Sequence, residues 1–185
     1  MAIAYREFGS QQQGRVQVRY RDCPTIEVAE RIPCDADTAW AMVTDIELPA
    51  RCSPELKSVQ WEGTADRVEP GARFRGRNDH PALGSWETVC EVVEVEPRRR
   101  WVWRVVGPDD TTSATWAFEI DQAREGVLIR QWARMGPAPS GLTAAITATP
   151  ELEGRIVARR LEEWATGMRA NLTWIRTQVD SDPRP

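Results

Sequence analysis

The spacing of hydrophobic and polar positions changes character along this chain. Five runs, at residues 72–78, 86–95, 101–106, 113–120 and 127–135, place apolar residues at alternate positions, the period of half-buried strands. They are separated by turn-forming stretches: Asp79-His80-Pro81-Ala82-Leu83-Gly84, Glu96-Pro97, Gly107-Pro108-Asp109-Asp110 and residues 121–126. Connections this short join antiparallel neighbours. Over 150–179 the period becomes 3.6, with Val157, Leu161, Trp164, Met168, Leu172 and Ile175 in one stripe and Ala165 beside it, which predicts one long amphipathic helix. Arg160, Glu153 and Asn171 border that stripe, where each side chain either reaches an interior cavity or snorkels to water.

Upstream, strands are predicted over 25–32 and 56–62. Between them, Asp35-Ala36-Asp37 starts a short helix through Val43, with Trp40 and Val43 on its buried face. A second short helix or turn over 46–52 is closed by Ser53-Pro54, because the residue before proline is pushed out of the α region. Arg15 to Arg21 also alternates, which predicts an extra edge strand in a Gln-rich N-terminal extension, 1–22. The chain therefore reads as that extension, one ligand-binding domain over 23–179 and a tail over 180–185. The predicted class is α+β, a curved antiparallel sheet gripping one long C-terminal helix. Such an arrangement leaves room between the concave face and the helix, a pocket specified before any chemistry.

Alternation gives each strand two faces. The aromatic-rich one is taken as concave: Phe74, Gly76 and Asn78; Trp86, Thr88, Cys90 and Val92; Trp101, Trp103 and Val105; Ala114, Trp116, Phe118 and Ile120. On the last strand Val127, Ile129, Gln131 and Ala133 are assigned inward. The opposite face carries Arg73, Arg75, Arg77, Arg100 and Arg104 across from Glu87, Glu91 and Glu119, a solvated lattice of cross-strand ion pairs. Val89, Val93, Val102 and Val106 share that face, so the N-terminal strand or a second subunit is expected to cover part of it. Residues 136–150 are uncharged and rich in small side chains, at what would be the cavity mouth. They form either a movable lid or a plain connection with a helical turn near Leu142 to Ile146.

Composition narrows the chemistry. At 185 residues with net charge −4, the chain suits one domain burying about 70% of its unfolded surface and lacks the basic patch that nucleic acid requires. No apolar run reaches signal-peptide or membrane-span length, so a soluble cytoplasmic protein without stable membrane insertion is expected. Cys23, Cys34, Cys52 and Cys90 are widely spaced and His80 is the single histidine, which offers no metal-ligand spacing. No phosphate loop or dinucleotide fingerprint is present, so no cofactor is expected. Nine tryptophans against three phenylalanines and two tyrosines make the interior a set of flat indole faces.

The stretch from Val68 to Asn78, Trp86 to Val93, Glu96-Pro97, Trp101-Val102-Trp103 and Ala114-Thr115-Trp116, with Ser53-Pro54-Glu55 and Trp61, resembles the polyketide cyclase/dehydrase and lipid-transport group of SRPBCC (START-like) proteins. The resemblance runs from about Thr25 to Thr177. It implies a helix-grip fold, in which a seven-stranded antiparallel sheet surrounds a long C-terminal helix, with two short helices after the first strand. It also implies a binder of small hydrophobic or aromatic molecules, or an enzyme acting on them. The matched residues specify turns and packing, and none carries over a catalytic role.

The candidate ligand-binding residues are Trp40, Phe74, Asn78, Trp86, Thr88, Trp103, Trp116, Phe118, Gln131, Trp164 and Met168, with Trp86, Trp103 and Trp116 foremost. A carrier, sequestering or sensing protein for an aromatic or polyketide-like ligand is the first reading. The second is a cofactor-independent cyclase, aromatase or dehydratase in the same cavity, with Asn78, Thr88 or Arg160 polarising a carbonyl. His80 reads as a turn residue, Tyr5 and Tyr20 precede the family-like region, and Cys90 lacks an interior base to activate it, so proton-transfer groups are scarce. The third reading is a protein-interaction module or homodimer formed through the N-terminal strand.

Overall fold

The computed structural model describes residues 18–181. One antiparallel sheet has the strand order β1-β7-β6-β5-β4-β3-β2. Its strands are β1 (Thr25–Ile32), β2 (Leu56–Trp61), β3 (Arg73–His80), β4 (Gly84–Glu96), β5 (Arg100–Val106), β6 (Thr112–Gln122) and β7 (Val127–Met135). Two short helices, α1 (Ala36–Val43) and α2 (Leu48–Cys52), fill the β1 to β2 connection, while α3 (Gly141–Ala148) and α4 (Glu153–Ser181) follow β7. The element order agrees with the pattern of the sequence. Of the expected N-terminal strand, residues 15–17 lie outside the described residues and Tyr20–Asp22 is a single 3-10 turn. No helix among the described residues is long and apolar enough to cross a membrane.

Local chemistry starts and stops these elements as the sequence suggests. The Asp35 side chain accepts the Thr38 N–H at 2.8 Å and caps α1, a contact of about 1 kcal/mol. Trp101 Nε1 donates to the Val43 carbonyl at 3.0 Å and ties the end of α1 to the sheet. Ser140 caps α3 through the Leu142 N–H, and Leu142 and Ile146 turn toward Val157, Leu161 and Trp164 of α4. The predicted helical turn in 136–150 is thus a helix of two turns.

The ladders depart from the sequence reading at two points that bear on the cavity. Val92 pairs with Trp103 but Glu94 pairs with Val102, so β4 carries a bulge at Val93, which is left 44% exposed. Beyond the bulge the faces exchange, and Val95 lies opposite the inward Trp101. The second departure is at the end of β3. Sequence reading closes this strand at Asn78, but pairing continues through Asp79 with Ser85 and His80 with Gly84. Asn78 therefore lies within the ladder and does not begin the turn, while His80 inherits the inward side of Phe74, Gly76 and Asn78.

On the convex face, Arg73 pairs with Glu91 at 2.7 Å, Arg75 with Glu62 at 2.6 Å, Arg100 with Glu94 at 2.9 Å and Arg130 with Glu119 at 3.0 Å. Val102, Ala117 and Trp132 form a row across β5, β6 and β7 on this face. Val102 and Ala117 are buried, and Trp132 Nε1 donates to Glu119 at 3.0 Å. A lattice of side chains shields part of the face that a second element was expected to cover.

Gly126, in the β6–β7 turn, adopts φ +85°, and a Cβ there would stand 2.1 Å from the Ile32 carbonyl oxygen at the end of β1. Gly126→Ala is expected to lower stability by about 2 kcal/mol or more, measured as the midpoint of urea unfolding. A midpoint equal to wild type would show that this turn and β1 are free to separate.

Candidate ligand-binding cavity

The long helix touches the rest of the protein at two separated places. Near its start, Val157 joins Tyr20 and Met135, with Leu142, Ile146, Leu161 and Trp164 packed around them. Near its end, Leu172 and Ile175 enter the main core with Ile32, Val43, Leu48, Phe118 and Ile129. Its sheet neighbours are β1 and β7, so the inner faces of β3, β4 and β5 are left standing off from it. The space between is a cavity of about 1270 Å³, bordered on the helix side by Arg160, Trp164, Gly167, Met168 and Asn171.

The sheet side of the cavity is aromatic. On β5 and β6 the register sets Trp101 opposite Phe118 and Trp103 opposite Trp116. Their ring planes are nearly aligned: Trp101 and Trp103 stack at 4.2 Å with 23° between planes, and Trp103 and Trp116 lie 6.2 Å apart at 12°. Phe74 abuts Trp103 at 6.3 Å, and Trp164 reaches across from α4 to within 4.8 Å of Trp116. Each such pair contributes about 0.5–1.5 kcal/mol beyond area burial, and together they make the wall a cluster of indole and phenyl rings.

Of the candidates read from sequence, Phe74, Asn78, Trp86, Thr88, Trp103, Trp116, Phe118, Gln131, Trp164 and Met168 all border the cavity. Trp40 does not. It packs against the main core from α1, a helix set against β6 and β7, so a buried helical face here means core. The inward set on β7 is Val127, Ile129, Gln131 and Ala133, all buried. Asn78 Nδ2 lies 3.5 Å from both the Gly76 carbonyl and Thr88 Oγ1, an open polar spot in the wall. Cys90 also borders the cavity, and burial pushes its thiol up to about 12, with a hydrogen bond to Thr88 opposing in part, so the neutral thiol is the form present near neutral pH.

Charge gathers at one end. The Arg160 side chain, 8% exposed, does not snorkel to water. It forms a bidentate pair with Glu55 at 2.6 and 2.5 Å and a third bond to Glu163 at 3.2 Å. Burial alone would depress the guanidinium, but Glu55 and Glu163 outweigh it and raise it. Two carboxylates therefore neutralise this cation, and it is not free to polarise a ligand carbonyl unless Glu55 moves. Glu163 is shifted upward by burial and downward by Arg159 and Arg160, with a net lowering.

Among the bordering residues not singled out as site residues from sequence are His80, Glu55 and Tyr20. His80 borders the cavity, its Nδ1 accepts the Ala82 N–H at 3.1 Å, and its Nε2 stands 3.7 Å from Glu163 Oε1. That acceptor role places the ring proton on Nε2. The signal was available, since alternation carried two residues past Asn78 turns His80 inward. Glu55 stands in the matched Ser53-Pro54-Glu55 without a role. Tyr20, ahead of the first strand, donates its hydroxyl to the Ala138 carbonyl at 2.8 Å and the Ser113 carbonyl at 3.3 Å; no local pattern marks it. Burial raises the Tyr20 hydroxyl pKa despite a hydrogen bond with Ser140. Pro139, Ser140, Gly141 and Leu142 border the same end of the structure, so the uncharged connection does form part of the cavity wall.

A curled sheet closed on a long helix around an apolar cavity defines a helix-grip protein. The chain belongs to the polyketide cyclase / dehydrase and lipid transport family, whose model matches residues 24–173. Among solved structures it is similar to a polyketide-cyclase-like protein from Corynebacterium glutamicum, with 25% identity, TM-score 0.57, and coverage of 84% of this chain and 91% of that one. It is also similar to two di-domain ARO/CYC proteins. StfQ, from the steffimycin biosynthetic pathway, shows 18% identity and TM-score 0.64, over 85% of this chain and 51% of its own. BexL, from the BE-7585A biosynthetic pathway, shows 18% identity and TM-score 0.61, over 87% and 50%. The chain spans about half the length of these two, and those likenesses show the fold. No curated protein matches it by sequence.

The Glu163 pairs carry a pH signature. A carboxyl whose value is lowered on folding adds stability above its unfolded range, and that stability is lost as pH falls through the lowered value. The stability difference between wild type and Glu163→Gln is expected to be largest at about pH 7 and to shrink below about pH 4. Urea unfolding of both proteins across that range checks it; a difference independent of pH would mean that Glu163 acts through packing.

Proposed function

We propose that this protein binds a planar, hydrophobic aromatic or polyketide-like molecule inside the cavity, for carriage, sequestration or sensing. The observation that carries the reading is the cavity of about 1270 Å³ walled by indole and phenyl rings, with Trp101, Trp103, Trp116 and Phe118 in near-parallel pairs. Its volume exceeds the roughly 300–1,000 Å³ of ordinary small-molecule pockets, which suits a polycyclic or extended ligand. An aromatic wall favours fused rings over flexible chains, because a rigid plane packs against ring faces and edges without losing rotamer freedom. The polyketide cyclase family and the fold shared with the ARO/CYC proteins StfQ and BexL support the same chemical class.

Native mass spectrometry of the freshly purified protein, followed by denaturation and identification of what is released, tests this directly. A retained aromatic compound is expected. Trp116→Ala is expected to weaken binding of a flat neutral probe such as 1-aminoanthracene roughly tenfold, with the thermal midpoint showing whether the fold holds. Unchanged affinity in a folded variant would remove Trp116 from the site.

A second reading, a cofactor-independent cyclase or dehydratase, is favoured by one observation: His80 faces the cavity beside Glu163. Under this reading its Nε2–H polarises a carbonyl oxygen, the step that acidifies the neighbouring carbon in aldol closure and dehydration. Under this reading His80→Gln abolishes loss of water from a naphthyl β-hydroxyketone while leaving its binding within about twofold. Equal turnover in the variant, or none in wild type, would leave the binding function alone.

A further inference from the structure

Because consecutive strands from β2 to β7 are antiparallel neighbours, β3, β5 and β7 all end on the same side of the sheet. The β3–β4 turn, the β5–β6 turn and the connection after β7 therefore gather at one end of the cavity. Each sends residues to its border: Pro81 and Leu83, Gly107 and Pro108, and Pro139 to Leu142. Leu83 is 40% exposed, so here the cavity meets solvent. Two sides of this mouth are fixed. The turns belong to the sheet, and α4 is held by the buried bidentate pair of Arg160 with Glu55, whose parting would leave charges without partners. The third side is held differently. Gly136 and Ala138 donate their N–H groups to the Ser113 and Thr112 carbonyls at 2.9 Å, and among the described residues the ladder with β6 goes no further. Beyond it α3, none of whose residues is buried, leans on α4 through Leu142 and Ile146.

One side chain spans the seam between this third side and the sheet. Tyr20 borders the cavity and clusters with Met135 at the end of β7 and Val157 of α4. Its hydroxyl is shared between the Ala138 carbonyl at 2.8 Å and the Ser113 carbonyl at 3.3 Å, and its backbone N–H donates to Glu153, the first residue of α4, at 3.0 Å. The sheet, the connection and the helix are therefore joined through one residue. Burial raises the phenol, so it stays protonated near neutral pH, and its single proton is committed to the wall and not to a ligand. Tyr20 also lies ahead of residues 24–173, the span that matches the family model.

We infer that the ligand enters between the two turns and residues 139–142, and that Tyr20 is the bolt that holds the movable side of this mouth, the uncharged connection with α3, against the sheet. Freeing that side breaks one neutral hydrogen bond, whose carbonyl partners water can satisfy. Residues 136–150 carry no charge, so a hydrophobic ligand crosses that edge without stripping water from an ion. This inference rests on the binding function proposed above and adds the route of entry and the residue that regulates it.

Stopped-flow fluorescence with 1-aminoanthracene tests it, comparing wild type with Tyr20→Phe and Tyr20→Leu. Both variants keep an apolar side chain beside Met135 and Val157 and lose the hydroxyl. A bolt acts on passage in both directions, so removing it multiplies the two rate constants alike, whereas a lost ligand contact raises the dissociation rate alone. Association and dissociation are each expected to quicken roughly fivefold, with affinity kept within about twofold. Two variants are used so that one folded protein suffices, judged by its thermal midpoint. A rise in dissociation alone makes Tyr20 a ligand contact, and unchanged rates place the entrance elsewhere; either result overturns the bolt. If 1-aminoanthracene does not bind wild type, the binding function itself fails, and the entrance with it.

Discussion

Everything that distinguishes this protein follows from the way α4 is clamped to the sheet at two places and released between them. Val157 is held by Met135 and Tyr20, and Leu172 and Ile175 are held by the main core. Apolar burial at each end, about 25 cal/mol per Å² removed from water, holds the helix in position. Between the clamps the sheet curls away, and side chains that would otherwise meet across the core face a void. A helix packed evenly along its length would leave no cavity; one clamped at a single end would not enclose it.

The distribution of polarity fits that geometry. Charges crowd the convex face and one end of the cavity, where Arg159 and Arg160 balance Glu55 and Glu163. The wall between is aromatic, and the far end carries the amide pair of Gln131 and Asn171. Paired carboxylates and a guanidinium at the rim contribute little net stability, because the cost of removing them from water offsets much of their attraction. Their effect is to hold the rim in one arrangement while the interior stays free of net charge.

Much of this was legible along the chain. Period-two spacing assigned Phe74, Trp103, Trp116 and Phe118 to the concave face, and the 3.6 stripe placed Trp164 and Met168 opposite them; all six border the cavity. The failures have specific physical origins. Trp40 reads as inward on its helix, but a helix has no cavity-facing side until its packing partner is known, and here that partner is core. Arg160 at the border of its stripe was as compatible with water as with the interior; Glu55, 105 residues earlier, decides the matter. His80 was hidden by Pro81 and Gly84, whose turn chemistry suggested that β3 had already ended.

The order and type of elements, the faces of the strands and the buried stripe of the long helix were determined by the sequence alone, because backbone geometry converts local periodicity into direction without reference to distant residues. Only the tertiary structure decided which of those buried directions meet other side chains and which meet empty space. That distinction rests on long-range pairing: the bulge at Val93, the extension of β3 to His80, and the meeting of Tyr20 with Ser113 and Ala138. Burial is a property that a residue's own period can announce. A cavity is a property of the distance between elements, and no local pattern encodes it.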